Sequence, residues 1–346
     1  MPSSVPHLKR VTINDVAERA GLSISAVSFA LNGRKGVSEE TRERVLAIAD
    51  EMGWRPTSAA RSLAGASTSV VGMVLARDPR ALGIESFYMR FLFGLEEELS
   101  KRGYGLLLQV VPSPEEEIAT LDRWRRSRRV DGVVLVDVRD NDPRIRMFEE
   151  DSSLPVLVVG DPSVAGGLPN VWTDDATSMR ESVRYLAALG HRRIARIAGA
   201  EGLAHTRIRD DAYAVEMQEL GLEGLMLRTD YTAQAGAAAF RSALTSPEPP
   251  TAFVSDNDIM AVAGLTVAME LGLRVPDDVS IIAWDDSVLC EHTFPRLTAL
   301  SHDVIGFGSH VGRRLFDAID GRAAGAFLDS TPRLVTRAST GPARSL

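Results

Sequence analysis

From Val70 onward, short runs rich in β-branched residues alternate with helical stretches of about fifteen residues. The runs are Val70–Leu75, Leu106–Val111, Val133–Val136, Val156–Val159, Ile194–Ala198, Ala252–Val254 and Ser280–Ala283. Helical periodicity fills the gaps, as over Phe91–Arg102 and Met179–Leu189. Strand, crossover helix, strand is the pattern of a parallel sheet with both faces covered. Residues 70–346 are too many for one small sheet. The pattern predicts two doubly wound subdomains with a ligand cleft between them, at the C-terminal ends of strands.

The first residues read differently, as helices in quick succession. Thr12 is a good N-cap, and Asp15 three residues on resembles a capping box. Val16 and Ala20 share a face, and Gly21 stops the helix. Ser23 caps a second helix with Val27, Ala30 and Leu31 on its apolar side, and Asn32-Gly33 ends it. Ser38 caps a third, with an apolar stripe from Val45 to Met52 and Gly53 beyond. The short turn Ala20-Gly21-Leu22-Ser23 suits a helix-turn-helix, whose second helix enters the major groove. On that helix Ile24, Ser25, Ser28 and Phe29 lie opposite Val27 and Leu31. Apolar side chains there can read a thymine methyl, and the hydroxyls of Thr12, Ser23 and Ser25 can reach phosphates or base edges. Phe29 has a second reading, packing back into the three-helix core.

Charge supports this division. The formal net charge is −8, but residues 1–65 hold nine basic and seven acidic residues, while the rest carries a net −10. An acidic body is repelled by phosphates, so DNA contact is expected only from the N-terminal segment. The single cysteine, Cys290, excludes an internal disulfide and a cysteine-based zinc cluster, and reads as structural. No signal peptide precedes the first helix, and no apolar run nears the ~18 residues of a membrane span. A cytoplasmic protein without membrane contact is expected.

Enzyme signatures are absent. No G-x-G-x-x-G or Walker loop follows the first strand; RDPRAL stands there, and Gly306-Phe-Gly308 lacks the third glycine. H-E-x-x-H and G-x-S-x-G are also missing. The histidines His7, His191, His205, His292, His302 and His310 show no metal-ligand spacing and read as scattered surface or structural groups. Neither a catalytic centre, nor a metal, nor a cofactor is expected.

The stretch VTINDVAERAGLSISAVSFALNGRKGVSEETRERVLAIADEMGWRP resembles the DNA-binding head of the LacI/GalR repressors. The resemblance is dense over Val11–Pro56 and continues more thinly to the C-terminus, through LAALGHRRIARIAG, VSDNDIMAVAGL and GLRVPDDVSIIAWDD. It implies an α/β fold: a three-helix helix-turn-helix head on a periplasmic-binding-protein-like body of two doubly wound parallel-sheet subdomains. The expected divisions are 1–56 for the head, 57–69 for a hinge helix and linker, and 70–346 for an effector-binding and dimerisation body. The resemblance assigns base reading to Ile24 and Ser25, with Thr12, Ser23, Ser28 and Asn32 in the DNA-facing set. Phe29 stands where the family commonly has arginine, which removes a bidentate contact to guanine. Ser58–Gly65 matches the family's hinge helix, with Leu63 as a minor-groove wedge and Ala60 and Ala64 allowing close approach. So short a segment is no stable helix alone, so ordering on DNA is expected; a plain flexible linker is the alternative.

In the body the resemblance implies effector contacts from Arg209, Tyr231, Asn257 and Asp285, with Tyr88 and Trp284 as weaker candidates. A carboxylate, a guanidinium, an amide and aromatic rings suit a polar ring such as a sugar. Simpler readings stand beside these. Arg209 can pair with Asp210 or Asp211 at the surface, Tyr231 and Trp284 can be core aromatics, and Asp258 can cap the helix Ile259–Leu271. Asp174 and Asp175 look like caps as well. Glu85-Ser86 stand where the family often has Asn-Pro, so the ligand can differ from typical sugars. The expected function is a homodimeric repressor on a pseudo-palindromic double-stranded operator, controlled by a carbohydrate effector. A nucleobase or other non-sugar corepressor, or a free solute-binding protein, are the alternatives. No heptad tail follows Arg333–Arg337, so nothing argues for a coiled-coil tetramer.

Overall fold

The structure is a computed structural model that describes residues 11–31, 36–54, 67–77, 86–322 and 324–344. Asn32, Ala60, Leu63 and the hinge segment lie outside the described residues. The chain divides into two compact units, Met1–Thr68 and Ser69–Leu346.

The first unit holds α1 (Ile13–Ala20), α2 (Ile24–Leu31) and α3 (Glu39–Glu51). The Thr12 capping box is formed: the Asp15 N–H donates to Thr12 Oγ1 at 3.4 Å, and the Thr12 N–H donates to Asp15 Oδ2 at 2.7 Å. Gly21, at φ +66°, ends α1 in the left-handed conformation that glycine adopts without a Cβ clash. Ser23 Oγ accepts the Ala26 N–H at 3.2 Å, and Ser38 caps α3. Val16, Ala17, Val27, Ala30, Val45, Ala49 and Trp54 form the buried core. Phe29 is not in that core; it is 38% exposed and its ring lies against Gly36.

The second unit contains two six-stranded sheets among the described residues. The chain first runs through β1 (Val70–Ala76), α4 (Ser86–Lys101), β2 (Gly105–Val111), α5 (Pro114–Ser127), β3 (Gly132–Leu135), α6 (Pro143–Glu150), β4 (Val156–Val159) and β5 (Asn170–Thr173). It then crosses to the other subdomain for α7 (Asp175–Ala188), β6 (Arg193–Ala198), α8 (Ala204–Glu219), β7 (Glu223–Arg228), α9 (Ala233–Leu244), β8 (Ala252–Ser255), α10 (Asp258–Glu270), β9 (Ser280–Trp284), α11 (Val288–His292) and β10 (Thr298–Ser301). It returns to the first with α12 (Val304–Ile319) and β11 (Ala326–Ser330), and crosses again for β12 (Arg333–Val335). The orders are β11-β5-β4-β3-β1-β2 and β12-β10-β9-β8-β6-β7. Every pair is parallel except β12 on β10. Three crossings therefore join the subdomains.

Two helices start earlier than periodicity alone indicates. α4 begins at Ser86 rather than Phe91, because Tyr88 is buried one turn before. α7 begins at Asp175 because Asp174 caps it, accepting the Thr177 N–H at 3.0 Å. Gly308 is a packing residue: a Cβ there would strike the Phe91 carbonyl, so glycine lets α12 lie close on α4. Among the described residues no helix is long and apolar enough to cross a membrane.

Candidate functional site

The cavity between the two sheets is walled by the C-terminal ends of eight strands and by helical residues, as a doubly wound fold requires. Arg77 follows β1, Asp137 β3, Asp161 β4, Asp175 β5 and Tyr231 β7; Asp256, Asn257 and Asp258 follow β8, Asp285 β9 and His302 β10. His205 and Arg209 come from α8, after β6. The cavity volume is about 150 Å³.

Arg209 is the centre of the site. Its Nε donates to Asp175 Oδ2 at 2.8 Å, and its guanidinium sits 3.7 Å from the centroid of the Trp284 ring. Asp256 Oδ1 lies 3.5 Å away. Burial opposes the Arg209 charge, but Asp175 and Asp256 outweigh it and hold the group cationic. The surface pairing with Asp210 or Asp211 does not occur: Asp210 pairs with Arg196 and Arg228, and Asp211 with Arg207. Trp284 is 1% exposed, so its ring is both core and cleft wall.

Across the cavity, Arg77 makes a bidentate pair with Asp137, at 2.7 and 2.9 Å, and the Tyr88 hydroxyl donates to Asp137 at 2.7 Å. Burial disfavours the Asp137 carboxylate, yet Arg77 and Tyr88 keep its pKa well below the usual range. His205 Nε2 is 2.9 Å from the Tyr231 hydroxyl, and Arg77 lies 5.3 Å from the Tyr231 ring centroid. Burial first, then the Arg209 charge, lowers the His205 pKa to about 4, so its imidazole is neutral near pH 7. His205 and His302 thus belong to the cleft wall, which corrects their reading as scattered surface or structural groups. Burial lowers the His302 pKa too.

Three cavity residues adopt left-handed backbone conformations without being glycine: Asp137 at φ +51°, Asp285 at +64° and Tyr231 at +70°. Such a conformation in a bulky residue costs of order 1–3 kcal/mol and persists where the surroundings fix it. Gly199 is part of that fixing, since a Cβ there would overlap the Tyr231 ring.

Asn257 is otherwise engaged than expected. Its Oδ1 accepts the Met260 N–H at 2.8 Å and its Nδ2 donates to the Tyr231 carbonyl at 3.0 Å. Asn257, and not Asp258, is therefore the N-cap of α10. Asp258 is the first helical residue, and its Oδ2 has no hydrogen-bond partner among the described residues. Arg77, Asp137 and Asp256 carry no role in the sequence reading, which has Asp175 as a cap and His205 as a scattered surface or structural group. Applying the strand-end rule to β1 and β3 finds the first two.

In the head, the Thr12 hydroxyl donates to Asp15 and the Ser23 hydroxyl accepts from Ala26, so both act in local caps. Ile24 is 51% exposed on α2; Ser25 is exposed and Ser28 half-buried.

Residues 12–57 match the description "Bacterial regulatory proteins, lacI family", and residues 183–340 match "Periplasmic binding protein-like domain". The regulator AglR of Rhizobium meliloti (strain 1021) is 34% identical, over 96% of this chain and 95% of its own. The solved transcriptional regulator CelR–cellobiose complex is similar at a TM-score of 0.71, with 30% identity over 95% of this chain and all of that one. A lac repressor dimer bound to operator and the anti-inducer ONPF superposes at a TM-score of 0.82, with 25% identity over 96% of this chain and all of that one. With an N-terminal helix-turn-helix and an interwoven two-sheet body, this chain belongs to the LacI family of bacterial transcriptional regulators and is not an enzyme.

Proposed function

We propose that this regulator is a repressor that binds a pseudo-palindromic operator as a homodimer and is controlled by a neutral, hydroxyl-rich sugar in the cavity. The observation that carries the effector class is the charge of the cavity wall. Six carboxylates line it (Asp137, Asp161, Asp175, Asp256, Asp258 and Asp285) against two guanidiniums, Arg77 and Arg209. Both guanidiniums already hold carboxylates. Carboxylates are acceptors only, so the ligand supplies donors, as sugar hydroxyls do. The rings of Tyr88, Tyr231 and Trp284 suit the apolar faces of a sugar ring. A phosphate or uronate would meet net negative charge. The CelR–cellobiose complex, a relative with a disaccharide bound, supports the sugar class.

Operator reading is assigned to Thr12, Ser23, Ile24, Ser25, Ser28, Phe29 and Asn32, and minor-groove wedging to Leu63 with Ala60, in a hinge over 57–69. The exposure of Ile24 and the exclusion of Phe29 from the head's core favour this assignment. Dimerisation is supported by apolar side chains standing out from the body: Met89 and Phe93 on α4, and Ile305 on α12, are 58%, 67% and 43% exposed.

A thermal-shift screen tests the effector class. Cellobiose, glucose and other neutral sugars are compared with glucose 6-phosphate and glucuronate. A neutral sugar at a hundred times its dissociation constant stabilises the body by about 2.7 kcal/mol. Shifts with the anionic sugars alone, or with purine bases alone, would refute the assignment.

A further inference from the structure

One rim of the cleft is held shut by contacts outside the cavity. Helix α8 carries His205 and Arg209, yet its N-cap position, Leu203, supplies no side-chain cap. The first amides of a helix need a partner from elsewhere. Here the Ala204 N–H donates to the Val138 carbonyl at 2.9 Å, and Val138 lies in the other subdomain, just after β3. Arg139 and Leu203 pair beside it as an isolated antiparallel bridge. One turn into the helix, Arg207 Nε donates to both carboxylate oxygens of Asp140, at 2.8 Å each. A cation in a first turn opposes the helix dipole, and Asp140 offsets it from the opposite wall.

The loop that receives these contacts is fixed from behind. Arg144, 1% exposed, donates to the carbonyls of Val136 and Asp137 at 3.1 and 3.0 Å and grips Asp142. Asp142 in turn accepts the Arg139 N–H at 3.0 Å. Asp137 and Asn141 hold left-handed backbone conformations, at φ +51° and +53°. The Val138 carbonyl and Asp140 are therefore presented in one place.

We propose that residues 138–140, in the loop after β3, are a cross-cleft cap, which completes the N-terminus of α8 only when the two subdomains close. Closure, the order of the first turn of α8 and the placing of His205 and Arg209 then form one equilibrium, on which effector binding draws. The proposal rests on the cavity being the effector site. None of Val138, Arg139, Asp140, Ala204 or Arg207 lines the cavity, so the cap sets affinity without touching the ligand.

Ala204→Pro in the full chain is the test. Ala204 is the first helical residue, where proline is tolerated, and Leu203 at φ −83°, ψ 129° already has the backbone that precedes a proline. The substitution leaves the helix possible, removes the donor and puts a ring carbon against the Val138 carbonyl. Ala204→Ser keeps the amide and is the control. Spin labels go on cysteines introduced at Arg126 and Glu248, whose side chains are 74% and 76% exposed, one in each subdomain. Burial raises the Cys290 thiol pKa to about 12, which keeps it unlabelled. Labelled protein is diluted into unlabelled protein so that distances within one chain dominate. Without ligand, Ala204→Pro is expected to show a longer inter-label distance than Ala204→Ser. It is also expected to bind cellobiose about two- to tenfold more weakly, the scale of one lost hydrogen bond. The same distances in both variants would overturn the cap, whatever cellobiose does. If the distances separate but even the control ignores cellobiose, the cap stands and the sugar reading loses its support.

Discussion

Arg196→Met is expected to destabilise the body by about 3–5 kcal/mol, because it strands buried carboxylates. Arg196 is fully buried in β6. Its Nε donates to Asp210 at 2.8 Å, and its two terminal nitrogens donate to Asp256 at 2.8 and 3.0 Å. Asp256 also accepts the Gly199 N–H at 2.8 Å and faces Arg209. Burial opposes ionisation of Asp256, but Arg196 and then Arg209 keep its pKa low. Methionine fills much of the space and supplies no charge, so Asp256 must either protonate or remain stranded. Urea unfolding followed by tryptophan fluorescence measures the loss. A change below about 1 kcal/mol, the range of an ordinary surface pair, would show that the network is not held as described.

Arg209→Met has the second large effect, and it falls on ligand response rather than on DNA. The guanidinium lies on Trp284 and joins Asp175, the first residue of α7, to Asp256. Removing one member of a buried, hydrogen-bonded charge pair in a binding site typically costs 2–5 kcal/mol, about thirty- to several-thousandfold in affinity. Cellobiose, or whichever neutral sugar shifts the melting temperature, is expected to lose its effect on the variant in that range. Operator affinity without sugar should stay within a few-fold of the parent, since the head's core contains none of these residues. Calorimetric titration gives the first quantity and DNA anisotropy the second. Equal sugar affinity in variant and parent would remove Arg209 from the site.

The central strands were legible because they are buried on both faces and read as continuous apolar runs, as Val133–Val136 and Ser280–Ala283 do. Among the edge strands β2 was read as Leu106–Val111, but β7 and β11 were not. β7 is exposed or half-buried throughout, and β11 carries exposed Leu328, so neither offers a clean period. The return of α12 and β11 to the first sheet leaves no local mark, because it depends on where partners lie in space. Arg209, Tyr231, Trp284 and Asp285 came from the family's motifs. Of the partners that set their chemistry, Asp175 reads as a helix cap, and Asp256 carries no local signal that sets it apart. Left-handed backbone at Asp137, Tyr231 and Asp285 could not be anticipated, because glycine is the residue that advertises it. Asn257 carried the right motif, but its amide caps α10 and tethers the Tyr231 loop.

We propose that the head reads DNA and that a sugar in the cleft changes that reading. A palindromic site selected from random duplexes by the full-length protein provides the probe. Anisotropy titration of that site at fixed salt, with and without the neutral sugar that raises the melting temperature, is the direct measurement. A 5–150-fold change in operator affinity is expected, the scale of about 1–3 kcal/mol of coupling between two sites. An affinity unchanged at saturating sugar, with the parent protein folded and the sugar bound, would contradict it.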